Sequence, residues 1–360
     1  MAQQTISTTD VKEYLRQIFE KEKIYKVLLV CDGAFDYLQT KDEYMALDIP
    51  YAIFNEFTPN PLYEDVVKGV KLFREQECDA ILAIGGGSSI DVAKCIKLYS
   101  GMDDTKVYLE QEYKENDVTL IAIPTTSGTG SESTRYAVIY YEGKKQSVTH
   151  DSIVPKYVIL DYRNLVTLPL YQKKCTMLDA MCQSIESWWS VNATKESREY
   201  SRHALNTLMF NMKDYLDNKD DGNAEMLVAS NYAGKAINIT QTTAAHAMSY
   251  KLTSLYGIPH GRAVFMCLPS IWKLMEERNI LPDVFRDIAY TLGYTCVADA
   301  IGYLENLNEQ LFENDKVTMN EEDIDILVKS VNPTRLKNNP LELTEDMIRS
   351  LYTDIIKKYQ

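Results

Sequence analysis

The sequence predicts an α/β fold in its first half and an all-helical domain in its second. Up to about residue 168, short unbroken apolar runs alternate with amphipathic helical stretches. From residue 169 onward, long helical periodicities with few β-branched runs replace this alternation. Strands that are buried on both faces read as continuous apolar runs, so the first half is typical of a parallel, Rossmann-like sheet covered by helices. We expect one domain over residues 1–168 and a second over residues 169–360.

The elements follow one another in a regular order. The apolar runs predict strands at residues 26–31, 51–54, 79–84 and 118–124. Helical periodicity predicts helices at residues 62–78 and 89–99 between these strands, and at residues 174–191, 197–217 and 224–239 in the second domain. This alternation is the doubly wound pattern.

Composition restricts the class of protein. The chain has 360 residues and a net charge of −14, which argues against a nucleic-acid backbone or an anionic membrane as a partner. No run of about eighteen apolar residues occurs, and the N-terminus lacks a signal-peptide pattern. Seven cysteines without a CxxC pair fit reduced, buried thiols. We expect a cytoplasmic protein.

A glycine-rich loop, GGGSSID at residues 85–91, follows the third predicted strand and opens a helix. In this context backbone N–H groups and a helix N-terminus bind phosphate, and Ser88 and Ser89 add hydroxyl donors. The loop is neither GxGxxG nor a P-loop with its lysine. We expect it to bind a pyrophosphate, and the alternative is a purely structural turn.

A second polar loop, PTTSGTGSE at residues 124–132, follows the fourth predicted strand, and five of its nine residues are serine or threonine. Such a loop can hold a ribose and a nicotinamide amide, although a solvent loop is the alternative. Both loops would open into one crevice of a parallel sheet. Asp32 ends the first strand, where a carboxylate favours an adenosine 2′-hydroxyl over a 2′-phosphate, and therefore NAD(H) over NADP(H).

Two of the four histidines, His246 and His260, lie fourteen residues apart in one segment. Asp179 and Gln183 stand at i and i+4 in a helical run, on one face of that helix. Imidazole is the commonest ligand of first-row divalent metals, so these four positions predict a metal cage. The alternative is that one histidine is a hydrogen-bonded core residue and the other a polar cap near a turn.

These segments resemble the iron-containing (group III) alcohol dehydrogenases. The resemblance rests on GGGSSIDVAK at residues 85–94, PTTSGTGSE at 124–132, DA at 179–180, HAM at 246–248 and PHG at 259–261. It implies a dinucleotide-binding domain facing a helical metal- and substrate-binding domain, the architecture shared with dehydroquinate synthase, with a metal in the cleft. The implied metal ligands are Asp179, Gln183, His246 and His260. The implied cofactor contacts are Asp32, Asn60, Gly86, Gly87, Ser88, Asp91, Thr125, Thr126, Thr129 and Lys145.

Two positions depart from the family pattern. The second metal ligand of the family is normally histidine, and here it is Gln183. A carboxamide oxygen is a harder and weaker donor than imidazole, which predicts looser binding or a preference for Fe, Mn or Mg over Zn. Tyr250 stands where many relatives have a histidine that relays a proton. It is a candidate catalytic proton donor, and the alternative is a packed aromatic side chain.

Within the family, residues 145–150, 177–180, 187–192 and 235–246 resemble phosphonoacetaldehyde reductases. This resemblance implies a small aldehyde substrate bearing a phosphonate, and relatives are commonly homodimers or larger. A phosphonate needs cationic or N–H donors. The candidates lie in or beside the motifs and are Arg135, Lys235, Lys251 and Arg262.

Three other functions stay open at this point. The first is reduction or oxidation of another small aldehyde, diol or hydroxyaldehyde within the same family. The second is a lyase or cyclase of the related dehydroquinate synthase type, or a glycerol dehydrogenase. The third is a nucleotide-binding scaffold that has lost catalysis with the histidine-to-glutamine change.

Overall fold

The structure is a computed structural model that describes residues 3–359. The chain divides into two compact units. The first comprises Met1–Pro169 with Lys213–Gly234, and the second comprises Leu170–Met212 with Lys235–Gln360. The strands of the first unit are β1 (Gln4–Ser7), β2 (Val27–Cys31), β3 (Tyr51–Phe54), β4 (Ala80–Gly85), β5 (Thr119–Pro124), β6 (Tyr136–Tyr141), β7 (Lys144–Thr149) and β8 (Tyr157–Leu160).

Helices accompany these strands and fill the rest of the chain. Those before residue 170 are α1 (Val11–Glu22), α2 (Lys41–Met45), α3 (Tyr63–Glu75) and α4 (Gly87–Ser100). The later ones are α5 (Leu170–Trp189), α6 (Lys195–Leu216), α7 (Asp220–Thr240), α8 (Ala244–Tyr256), α9 (His260–Glu277), α10 (Pro282–Thr291), α11 (Val297–Leu311), α12 (Ile324–Ser330), α13 (Pro333–Leu336) and α14 (Glu345–Lys358).

The sheet of the first unit is parallel and has six strands in the order β1-β8-β5-β4-β2-β3. Its central strands β2, β4 and β5 are buried along their whole length, as their apolar runs predict. A separate two-stranded hairpin, β6–β7, pairs Tyr136 with Thr149 and Tyr140 with Lys145. The predicted α/β class with a helical second part is confirmed.

Two strands of the sheet were absent from the sequence prediction. β1 carries exposed residues at three of its four positions, so it shows no apolar run. β8 is fully buried but spans only four residues. It pairs with both β1 and β5 and completes one side of the sheet.

The segment Lys213–Gly234 belongs to the first unit although it follows residue 169 in the chain. Gly234 of α7 lies against Gly130, where a Cβ would come within 2.5 Å of the Gly234 Cα. The Ser127 and Tyr215 hydroxyls hydrogen-bond at 2.7 Å. These close contacts bind the helical segment to the loop after β5. The division into domains of residues 1–168 and 169–360 stays a prediction.

The second unit is helical, and α5, α8 and α11 pack on α9. Its core includes Trp189, Trp272 and Phe285, whose ring centroids lie 5.8–5.9 Å apart in edge-on pairs. Within residues 3–359, no helix is both long and apolar enough to cross a membrane.

Candidate active site

The carboxyl ends of the central strands bring the predicted cofactor residues to one edge of the first unit. The chain passes from β2 to β3 on one side and then returns to β4 on the other, so the sheet has a switch point between β2 and β4. Asp32 follows β2 and Gly86 follows β4, and they flank this point. Ligands bind at such points in open parallel sheets. Asn60 follows β3, is exposed and has φ of 60°.

The two polar loops pack directly on one another. A Cβ added to Gly86 would lie 3.3 Å from Thr126 Cγ2, and one added to Gly87 would lie 2.9 Å from Thr129 Cγ2. Thr125 donates its backbone N–H to the Gly85 carbonyl at 3.0 Å. Gly87 therefore permits the close approach of the second loop, and a side chain at Gly86 would fit only tightly, whatever ligand the loops bind.

Asp32 is held by two hydrogen bonds. Its Oδ1 accepts the Ala34 N–H at 2.9 Å, and its Oδ2 accepts the Ser89 hydroxyl at 2.8 Å. The prediction that Ser89 offers its hydroxyl to a phosphate is wrong in this structure, because the side chain is buried and donates to Asp32. Ser88 remains partly exposed.

The N-terminus of α4 presents backbone donors at the same edge. Gly86 is the N-cap residue, and no side chain caps the helix in the described structure. The first N–H groups of an α-helix have no intrahelical partner, so those of Gly87, Ser88 and Ser89 are available to an anion.

A buried polar network lies one turn further along α4. Asp91 accepts the Ser131 hydroxyl at 2.6 Å and the Val138 N–H at 2.9 Å. Burial raises the pKa of Asp91, and the charges of Lys94 and Lys145 oppose this rise. Both Asp91 oxygens thus hold the second loop and the β6–β7 hairpin together.

Lys94 adds three hydrogen bonds to this network. Its ammonium donates to Ser131 Oγ at 3.0 Å, Thr134 Oγ1 at 3.1 Å and the Tyr136 carbonyl at 2.8 Å. The side chain is fully buried, and burial lowers the pKa of Lys94 to about 8.

In the second unit, three of the predicted metal ligands converge. Asp179 on α5, His246 on α8 and His260 at the start of α9 offer ligand atoms that all lie within 4.8 Å of one another. Asp179 and His246 are almost completely buried, and His260 is partly exposed. His246 Nε2 and Asp179 Oδ1 lie 3.3 Å apart.

The position directly after His260 has room only for glycine, Gly261. A Cβ at this position would overlap the Cys175 carbonyl and lie 2.8 Å from the Asp179 Cβ. Glycine therefore permits the start of α9 to approach α5, which sets His260 beside Asp179. Gln183 lies one turn after Asp179 on α5, with a buried side chain.

Glu186 orients His246 from the other side, and the sequence prediction did not include it. Its Oε2 contacts His246 Nδ1. Its Oε1 accepts the N–H groups of Thr243 at 3.1 Å and Ala245 at 2.9 Å, and the Thr243 hydroxyl at 2.7 Å. The carboxylate thus caps α8 and accepts a hydrogen bond from Nδ1–H of His246, which leaves Nε2 as the ligand atom. The spacing Asp179, Gln183, Glu186 follows one helix face, so i, i+4, i+7 periodicity was the available signal.

Burial and charge act in opposite directions on His246. Burial lowers the pKa of this imidazole, whereas the Glu186 charge and the hydrogen bonds with Asp179 and Glu186 raise it, with a net pKa of about 9. The site is therefore strongly attractive to positive charge.

Aromatic stacking extends the site beyond His260. The ring of Tyr250 is parallel to that of His260, with an interplanar angle of 3° and centroids 5.7 Å apart. The Arg335 guanidinium lies over the Tyr250 ring, with its Cζ 5.6 Å from the centroid. Tyr250 is therefore packed on the histidine and is partly exposed.

Two of the four predicted phosphonate-binding cations are neutralised by carboxylates. Arg262 is buried and pairs with Asp315 at 2.5 Å. Arg135 pairs with Asp151 at 3.0 Å. The prediction that these two side chains hold a phosphonate is not supported by their geometry. Lys251 follows Tyr250 in the chain and is partly exposed, and Lys235 makes an interaction of its own.

Comparison with known proteins identifies relatives over about two thirds or more of the chain. The relatives include a probable alcohol dehydrogenase, EutG, of Escherichia coli, which is 34% identical over 64% of this chain and 60% of its own length. The 1,3-propanediol dehydrogenase of Klebsiella pneumoniae is 30% identical over 73% of this chain and 68% of its own. The chain thus matches less than two thirds of EutG.

Solved structures are similar over nearly their full length. The sulfoacetaldehyde reductase of Bifidobacterium kashiwanohense in complex with NAD+ is 26% identical, with a TM-score of 0.88 over 98% of this chain and 97% of that one. An iron-containing alcohol dehydrogenase of Thermotoga maritima is 26% identical, with a TM-score of 0.85 over 99% and 98% of the two chains.

The family models agree with these likenesses. The model of iron-containing alcohol dehydrogenases matches residues 2–162, and the model of the C-terminal part of Fe-containing alcohol dehydrogenases matches residues 174–356. The chain belongs to the iron-containing alcohol dehydrogenase family.

Proposed function

We propose that this protein reduces a small aldehyde to an alcohol with NADH and one divalent metal ion. The observation that carries the proposal is the convergence of the Asp179, His246 and His260 ligand atoms within 4.8 Å. Ligand atoms about 2.0–2.2 Å from one ion lie at most about 4.4 Å apart, so an adjustment of a few tenths of an ångström would bring these three side chains onto one ion.

The donor chemistry fits such an ion. One carboxylate and two imidazoles suit Fe, Mn or Zn, and the Gln183 amide oxygen would add a hard neutral donor. Glu186 behind His246 supplies the outer carboxylate that commonly supports a metal-bound histidine. We propose iron as the native metal, with zinc or manganese as substitutes.

The reaction moves a hydride to the carbonyl carbon and a proton to its oxygen. The bound ion would polarise the carbonyl, and reduced nicotinamide would supply the hydride. Asp179, His246 and His260 would hold the ion that polarises the carbonyl. The Tyr250 hydroxyl, stacked beside His260, is the proposed proton donor, together with water and cofactor hydroxyls.

Asp32 is the basis for proposing NAD(H) over NADP(H). Its carboxylate is fixed by Ser89 and Ala34 at the sheet's switch point. There it can accept ribose hydroxyls and repels a 2′-phosphate. The uncapped N-terminus of α4 is proposed to bind the pyrophosphate. Asn60, Thr125, Thr126, Thr129 and Lys145 complete the proposed contacts.

We propose phosphonoacetaldehyde as the substrate and 2-hydroxyethylphosphonate as the product. Similarity to a sulfoacetaldehyde reductase supports a two-carbon aldehyde with an anionic head. A second candidate is a neutral diol or hydroxyaldehyde, which the likeness to 1,3-propanediol dehydrogenase favours.

We also propose a cytoplasmic, homodimeric or larger enzyme. The free state of all seven cysteines supports a reducing compartment.

The test is NADH consumption with phosphonoacetaldehyde, butanal and lactaldehyde, after loading with Fe, Mn or Zn. A rate on phosphonoacetaldehyde well above the other two supports the proposal. Equal rates would discard the phosphonate assignment, and no turnover with any metal would favour a nucleotide-binding scaffold.

A further inference from the structure

Arg335 is the charged side chain that the proposed reaction leaves without a role. It lies on the short helix α13 and is partly exposed. Across residues 3–359 it forms no ion pair with a carboxylate, and its guanidinium lies over the Tyr250 ring. A guanidinium without a counter-ion, stacked on an aromatic ring, is well prepared to receive an anion.

Two ring contacts connect Arg335 to His260, one of the proposed metal ligands. Its Cζ lies 5.6 Å from the Tyr250 centroid, and that ring stacks on His260 at 5.7 Å. His260 in turn shares the site with Asp179 and His246. The Tyr250 ring therefore connects the positive charge of Arg335 to a proposed metal ligand through two ring contacts.

The chain around Arg335 is anchored, so the side chain is presented from a fixed backbone. The Asn338 amide donates to Gln241 Oε1 at 3.1 Å and to the Thr242 carbonyl at 3.2 Å. The Asn338 carbonyl accepts the Val191 N–H at 3.0 Å. These bonds hold the end of the α13 segment against the turn before α8, which carries Tyr250.

The other cations near the site are less suitable. Arg262 lies two residues after His260, but it pairs with Asp315 and stacks on Phe312 at 4.1 Å. It is buried among these partners. An anion would have to displace the Asp315 carboxylate to bind there, whereas Arg335 has no such competitor in the described part of the chain.

We propose that Arg335, held on the Tyr250 ring, recognises the tetrahedral anionic head of the aldehyde substrate, a phosphonate or a sulfonate. This proposal rests on the proposed reductase function and adds to it the residue that selects the substrate class. Arginine binds such oxyanions through two parallel N–H donors, and charge-assisted hydrogen bonds of this kind are the strong ones. Arg335 is thus a specificity-determining residue.

The test compares the wild type with Arg335→Met and Arg335→Lys, each loaded with iron or manganese. The measured quantity is the ratio of kcat/KM for an anionic aldehyde to that for butanal. We expect Arg335→Met to lower this ratio roughly 10- to 100-fold, and Arg335→Lys to restore part of it. Arg286→Met, on the exposed face of α10, is the matched control and should keep the wild-type ratio.

Phosphonoacetaldehyde and sulfoacetaldehyde are assayed in parallel, and the one with the higher wild-type kcat/KM identifies the head group. An Arg335→Met variant that slows both kinds of aldehyde equally would overturn the proposal and leave the reductase function intact. Tyr250→Ala should lower the ratio as well, because it removes the ring on which the guanidinium lies.

A binding measurement decides the role of Arg335 independently of turnover. Calorimetry with 2-hydroxyethylphosphonate and with 2-hydroxyethanesulfonate is run on the NAD+-loaded wild type and on Arg335→Met. Binding that is lost in the variant supports the proposal even if no aldehyde is reduced. Equal affinities, or no binding to the wild type, would overturn it, and thermal unfolding of both proteins checks that the fold is kept.

Discussion

The carboxylate of Glu186 contacts Nδ1 of His246 and at the same time accepts the backbone N–H groups that begin α8. The helix that carries His246 is therefore capped by the same side chain that orients its imidazole. Trp189 extends this arrangement, because its indole N–H donates to the Thr243 hydroxyl at 3.0 Å, which itself donates to Glu186.

Glu186→Gln tests whether this carboxylate sets the tautomer of His246. The amide oxygen can still accept the N–H groups of α8, but the amide nitrogen would donate to Nδ1 and leave the proton on Nε2. A protonated Nε2 cannot bind a metal, so metal affinity should fall roughly 10- to 100-fold. Chelator competition measures this loss, and circular dichroism checks that α8 persists. Wild-type affinity in the variant would contradict the assignment.

Gln183→His tests the departure from the family pattern. An imidazole one turn after Asp179 replaces a hard, weak amide donor. We expect zinc affinity to rise by at least about tenfold relative to manganese affinity. The control is Gln183→Ala, which should weaken the binding of both metals. Unchanged relative affinities in the histidine variant would mean that position 183 does not contact the ion.

The fold was easier to predict than the electrostatics of the site. Continuous apolar runs predicted β2, β4 and β5, because a strand that is buried on both faces has apolar residues at consecutive positions. The edge strand β1 has no such signal. The local sequence gives no signal for the partner of a charged residue either. Arg262, for example, pairs with Asp315, which lies 53 residues further along the chain.

In the proposed metal site, too, some residues could be predicted from sequence motifs and others could not. Asp179 and the two histidines stood out as ligand types at helical spacing or within a short motif. Arg335 belongs to no motif and to a helix of four residues, and only tertiary packing brings it over Tyr250. Sequence patterns therefore predicted the three side chains that converge, but they missed Glu186, which orients His246, and Arg335, the proposed anion-binding residue.

Asp32→Ser is expected to change cofactor preference. Removing the carboxylate at the switch point removes repulsion of a 2′-phosphate and an acceptor for the ribose. The ratio of kcat/KM for NADH to that for NADPH should fall roughly 10-fold or more, the effect of one charge-assisted contact. Initial rates with both cofactors measure the ratio. If the ratio stays unchanged, Asp32 does not face the ribose.

Gly87→Ala tests the packing of the two polar loops. The new Cβ would lie 2.9 Å from Thr129 Cγ2 and push the second loop outward. We expect KM for NADH to rise about tenfold or more, because small displacements of positioning groups are costly. Thr129→Ser in the same chain removes the clashing methyl and should restore part of the affinity. Gly302→Ala, with open space at its Cβ, is the control. A Gly87→Ala protein with wild-type KM would show that the loop tolerates the shift.

Lys94 predicts a specific dependence of stability on pH. Its pKa is about 8 in the folded protein, below the ordinary value of 10.5, because the side chain is fully buried. Between these pH values the unfolded chain binds more protons than the folded one, so this group makes the free energy of unfolding rise with pH. The slope approaches about 1.4 kcal/mol per pH unit.

Urea unfolding of the wild type and of Lys94→Met from pH 7 to 10 measures this slope. The two curves of unfolding free energy against pH should run parallel below pH 8, and above pH 8 the wild type should gain stability relative to the variant. Parallel curves over the whole range would mean that burial does not lower the pKa of Lys94 in the folded protein.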